Sequence, residues 1–154
     1  MRKLLSALAV ALAVACAIDG AAQQPEKGYW RAASHTAASV TGDITISGSK
    51  ITINFKNFLI SPVRSLKPEE VSAAFDEALD TARQGWLYRL NIPASQRISS
   101  RNTLCGNEET DWMATYVAGN TLKVVFFTGD NAPVMTFEAL QNSTSVCGSY
   151  TYVR

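Results

Sequence analysis

Apolar and polar residues alternate along two neighbouring stretches of the chain. Val40, Gly42, Ile44 and Ile46 fall on one face, and Thr41, Asp43, Thr45 and Ser47 on the other. A period of two is that of a half-buried strand. Ser47-Gly48-Ser49-Lys50 reads as a turn. Beyond it Ile51, Ile53 and Phe55 alternate with Thr52, Asn54 and Lys56, so the two runs predict a β-hairpin. Phe58 and Ile60 are out of phase with that run, which predicts a bulge or bend near Asn57.

The period then lengthens. Pro68-Glu69-Glu70 has the proline and acids of a helix start. Val71, Ala74, Phe75, Ala78, Leu79 and Ala82 form one apolar stripe, so a single amphipathic helix is predicted over residues 68–84, with Gly85 ending it. Strands follow at 86–92, 112–118, 122–128 and 147–153, with shorter candidates at 103–106 and 134–138. Gly119-Asn120 makes 112–128 a second hairpin. The sum is about seven or eight short antiparallel strands with one inserted helix. The fold class is mainly β (α+β): a strongly curved antiparallel sheet or small β-barrel.

The first residues follow another pattern. Met1-Arg2-Lys3 is basic, residues 4–18 are an apolar run with the one small polar residue Ser6, and Gly20-Ala21-Ala22 precedes a polar segment. That order is a secretory signal peptide, with residues 1–22 removed and residues 23–154 forming one exported domain. The run is too short for a spanning helix. Ala13-Val14-Ala15-Cys16 also reads as a loose lipobox, and lipidation at Cys16 would tie the protein to the envelope membrane. Cleavage after Ala22 discards Cys16. Losing Arg2, Lys3 and Asp19 from 14 basic and 13 acidic residues leaves a formally neutral domain, a poor match to nucleic acid.

Two cysteines, Cys105 and Cys147, remain in the exported part. An exported pair reads as one disulfide, and each sits at an apolar-to-glycine junction. His35 is the only histidine and lies beside no nucleophile motif, so neither a Ser-His-Asp arrangement nor a zinc site is expected. Glu108, Glu109 and Asp111 form an acidic loop whose spacing matches no calcium loop. No catalytic residue, metal or cofactor is assigned. The aromatics Trp30, Trp86, Tyr88, Trp112 and Tyr116 lie on or beside strands, where they line an apolar pocket or fill the core.

Gly28-Tyr29-Trp30, ahead of alternating strands, resembles the Gly-x-Trp opening of lipocalin-like and avidin-like barrels and of small periplasmic protease inhibitors of related shape. The resemblance implies that a basic residue, Arg154, covers Trp30. The helix departs from it, since lipocalins place their main helix after the last barrel strand. More broadly the chain is similar to small exported bacterial proteins of unknown function, through Thr41-Gly42-Asp43-Ile44, Leu87-Tyr88-Arg89, Leu104-Cys105-Gly106 and the final Cys147-Gly148-Ser149-Tyr150-Thr151-Tyr152.

These readings lead to a non-enzymatic binding module, periplasmic or secreted, for a small apolar ligand or a protein partner. The alternative is an envelope lipoprotein with a structural or scaffolding role, anchored through Cys16, the one route to a membrane.

Overall fold

The computed structural model describes residues 24–99 and 102–154. The predicted signal segment and Cys16 lie outside the described residues. Eight strands follow one another around a closed antiparallel barrel: β1 (Gly28–Ala32), β2 (Ile44–Ser47), β3 (Lys50–Ile53), β4 (Lys56–Leu66), β5 (Gly85–Ile92), β6 (Thr110–Ala118), β7 (Thr121–Phe127) and β8 (Val146–Val153). Two short helices, α1 (Pro68–Phe75) and α2 (Phe137–Gln141), lie outside it. Pairing of Arg31 with Val153 and Ala32 with Tyr152 closes the ring. Closure leaves no unpaired sheet edge.

Alternation along the strands sorts side chains into two apolar clusters. Trp30, Ile44, Ile53, Tyr88, Phe126 and Tyr152 belong to the interior and are fully buried. Leu66, Val71, Phe75, Leu87, Tyr116 and Met135 form a second cluster where α1 packs on the outside of the sheet. Strand β4 serves both. Ile60 pairs with Leu90 and joins the interior; the register then slips between Pro62 and Arg64, and Leu66 emerges on the outer face beneath α1. One extra residue reverses the side that every later side chain faces.

That bulge replaces the one expected near Asn57. The phase change at Phe58 comes from a two-residue turn instead. Ile53 pairs with Lys56, and Asn54 (φ 47°) and Phe55 (φ 64°) occupy the tip. Positive φ at both central residues is the turn geometry that matches the twist of two paired strands. The first predicted strand is also shorter. Residues 37–41 form a π-helical turn, ended by Gly42 at φ 63°. Buried Thr41 shares a 2.8 Å hydrogen bond with the Tyr152 hydroxyl, which draws this turn onto β8 rather than into the sheet.

Helix α1 ends at Phe75, not at 84. Asp76 takes a left-handed conformation (φ 54°), and Lys123 Nζ from β7 donates to the Phe75 carbonyl (3.0 Å) and to Glu77 Oε1 (2.6 Å). Asp76, Glu77 and Asp80 put negative charge where a helix end disfavours it, and Lys123 compensates at that point. Gly85 therefore opens β5 instead of capping the helix. A Cβ there would stand 2.7 Å from the Thr115 carbonyl oxygen and 3.2 Å from Val71 Cγ2. Residues 103–106 are loop. The candidate strand at 134–138 gives way to α2, whose first turn is capped by Thr136 Oγ1 accepting from Ala139 N.

The Cys105–Cys147 disulfide is formed, with Cα atoms 4.8 Å apart, and ties the loop before β6 to β8. Closing 42 residues of chain is worth about 4 kcal/mol in the loop-entropy account.

Candidate binding surfaces

The five aromatics singled out in the sequence do not converge. Trp30 and Tyr88 point into the barrel, and half-buried Trp86 packs against the same cluster. Trp112 and Tyr116 point outward into the cluster under α1. The parity of their strands decides this, because Trp112 and Tyr116 are in phase with each other and out of phase with Met113.

Four of these rings also have a specific partner. Trp30 Nε1 donates to the Glu26 carbonyl (2.7 Å), and the Arg154 guanidinium lies 4.4 Å from the Trp30 ring centroid. Tyr88 donates to the Glu26 carboxylate. Glu26 is thus buried at the mouth of the barrel, and the polar lead-in to β1 acts as a plug. Nothing in the sequence pattern marks Glu26, since the partner of its carboxylate is Tyr88, 62 residues along the chain. Trp112 Nε1 donates to the Gly129 carbonyl (2.8 Å), while Arg89 lies 4.7 Å from its ring centroid and 3.2 Å from Asp111 Oδ1. Tyr116 stacks on Phe75 with centroids 5.7 Å apart.

Asp111 leaves the acidic loop for this latch and also accepts from Gly129 N (3.0 Å). Glu109 accepts from Asn91, and Glu108 is exposed. Among the described residues no three His, Cys, Asp or Glu side chains gather in a way that could hold a metal ion. His35 is exposed. No described helix is long and apolar enough to cross a membrane.

Two hollows on the outer face of the barrel differ in chemistry. The larger, about 620 Å³, runs between α1 and the 134–137 segment. Leu79, Val134 and Phe137 on its walls are 58%, 66% and 64% exposed, and buried Met135 lies among the lining residues. Lys67, Glu69, Glu70 and Asp76 supply its charge. Glu70 is already committed: Arg64 Nη1 and Nη2 each donate to it at 2.7 Å, and this pairing holds its carboxyl below the ordinary range. Glu69 and Asp76 have no ion-pair partner among the described residues.

The smaller hollow, about 310 Å³, lies on the outside of β1, β2 and β3 and is lined by Tyr29, Asp43, Thr45, Thr52, Asn54 and Phe55 among others. Sequence reasoning missed both hollows. Leu79 and Phe55 look like the continuation of apolar runs, and only the early helix end and the tight turn expose them. Compared with protein-family models, with curated proteins and with solved structures, the chain matches none.

Proposed function

We propose that the chain is an exported binding module whose partner is another protein, seated in the groove between α1 and the 134–137 segment. One observation carries this reading. Large apolar side chains that a barrel could leave lining a ligand chamber are packed into its centre, whereas Leu79, Val134 and Phe137 stand exposed together around an outer groove. Clustered exposed apolar groups with a polar rim are characteristic of interaction sites. The disulfide supports an oxidising compartment.

The occupant has a definite chemistry. It presents apolar side chains to Leu79, Val134 and Phe137, and a basic group to Glu69 and Asp76. Met135 gives the groove an adaptable surface. Selection of peptides from a random displayed library on the disulfide-bonded protein tests this. The expected winners combine apolar anchors with lysine or arginine, and lose at least about tenfold in affinity with Phe137→Asp. Winners without that pattern, or indifferent to both Phe137→Asp and Leu79→Asp, would overturn the reading.

A further inference from the structure

The β3–β4 turn displays an aromatic ring at a conformational cost. Asn54 and Phe55 are the two tip residues, both at positive φ, where asparagine followed by glycine is the favoured pair. Phe55 therefore holds a backbone region that suits glycine, and its ring is 96% exposed. The ring gains no burial in return. The turn around it is held firmly: Asn54 Nδ2 donates to the Ile98 carbonyl (2.5 Å), Lys56 to the Arg97 carbonyl, and Thr52 Oγ1 to Asn57 Oδ1 (2.7 Å). Strain kept in a rigid setting marks positions with a role beyond folding.

Beside Phe55 lies the 310 Å³ hollow, with the ring of Tyr29, 56% exposed, also on its wall. Polar groups of the lining are pre-set. The Asp43 carboxylate accepts from the Tyr29 hydroxyl through one oxygen and from Ala32 N (2.9 Å) through the other, which leaves each oxygen further acceptor capacity. The Asn54 side-chain oxygen and the Thr45 hydroxyl have no partner among the described residues. Two exposed aromatic faces, an anchored carboxylate, an amide and hydroxyls suit a ligand with apolar C–H faces and many hydroxyl donors. Asp43 is the single charged residue of the lining, so an anionic ligand is disfavoured. Strand addition by a peptide is also disfavoured, because the closed barrel offers no free edge here.

We propose that this hollow is a binding subsite for a neutral pyranose sugar, which stacks on Phe55 and donates hydroxyl hydrogen bonds to Asp43, Asn54 and Thr45. The site is independent of the protein-binding groove, since it lies on β1–β3 while the groove lies outside the half of the barrel covered by α1.

The test is titration of the disulfide-bonded protein with cellotetraose and with tetra-N-acetylchitotetraose, followed by backbone amide NMR shifts. Saturable shifts with at least one probe are expected at Tyr29 and over residues 41–57. Phe55→Gly suits the turn and keeps the fold, and it is expected to weaken binding at least about tenfold. Asp43→Asn is expected to weaken it as well, and a tetragalacturonate of matching length to bind more weakly than the neutral probe. No saturable shift with either probe, shifts confined elsewhere, or binding unchanged by Phe55→Gly would overturn the proposal. Tighter binding of the anionic tetrasaccharide would overturn it too.

Discussion

The Arg154 guanidinium covers the ring of Trp30, with Cζ 4.4 Å from the centroid, and so joins the last residue of the described chain to the first strand of the barrel. Its Nη1 also reaches the Lys27 carbonyl at 3.5 Å. A cation on an aromatic face at a partly desolvated site contributes about 1 kcal/mol. Arg154→Ala is therefore expected to lower unfolding stability by that amount in a urea titration. Arg154→Lys should recover only part of it, because an ammonium does not stack as a planar guanidinium does.

Gly85→Ala should be more damaging. The new methyl would sit 2.7 Å from the Thr115 carbonyl oxygen, with Leu66 Cδ1 and Val71 Cγ2 at 3.2 Å. Strand β6 cannot retreat without breaking its ladder to β5, and α1 cannot retreat without opening the outer cluster. A loss of roughly 1–3 kcal/mol is expected from such overpacking. A melting temperature equal to that of the parent would show that the helix and strand yield freely.

Phe55→Gly should act in the opposite direction. Relief of a left-handed backbone is partly offset by the greater freedom of glycine in the unfolded chain, leaving a net gain of roughly 0.5–1 kcal/mol. Chemical denaturation checks this directly. A loss of stability would mean that the Phe55 ring makes contacts that its exposure does not suggest.

Alkaline pH should destabilise the fold in a defined way. Burial raises the hydroxyl pKa of Tyr88, Tyr150 and Tyr152 above the ordinary 10.0, and the hydrogen bond to Glu26 raises Tyr88 further. Above pH 10 the unfolded chain releases these protons while the native state keeps them, so the native state binds more protons and stability falls as pH rises. Their contribution is fully present below pH 10. Phenolate absorbance from these three residues is expected only together with loss of the near-ultraviolet circular dichroism of the native state. Phenolate formation with that signal intact would contradict it.

Removing the disulfide by a Cys105→Ser, Cys147→Ser double substitution should cost about 2–4 kcal/mol. Reductant should reproduce the effect on the parent and leave the double variant unchanged.

Strand identity was legible wherever alternation was local. The 112–128 hairpin, the 86–92 strand and the terminal strand all carried their own period and correspond to β5–β8, whereas β1 and the full length of β4 were not read as strands, and the candidates at 103–106 and 134–138 are not strands. The barrel resemblance through Gly28-Tyr29-Trp30 implied the Arg154 contact that is present. What eluded sequence reading depended on distant chain. The apolar stripe of 68–84 continues past Phe75, but Lys123 on β7 supplies the carbonyl partner that ends α1 early. At the bulge, Pro62 pairs with Tyr88 and Arg64 with Leu87, a register that the β4 sequence alone does not display. The aromatics were visible, but their side of the sheet follows from registers that only the closed ring fixes. Hence Trp30 and Trp112, read as lining a pocket or filling the core, fill two different clusters.

The seam between β1 and β8 also orders events in time. Its two residue pairs join positions 31 and 32 to positions 152 and 153, so nearly the whole domain lies within one loop that must close. Contacts of such long sequence separation form late and slowly. A nascent chain that stops at Ser149 has Trp30 without Arg154 and Thr41 without Tyr152, and its sheet ends in two raw edges. Closure of the barrel therefore waits on residues 150–154, and a chain that has not yet reached them keeps β1 and β8 unjoined.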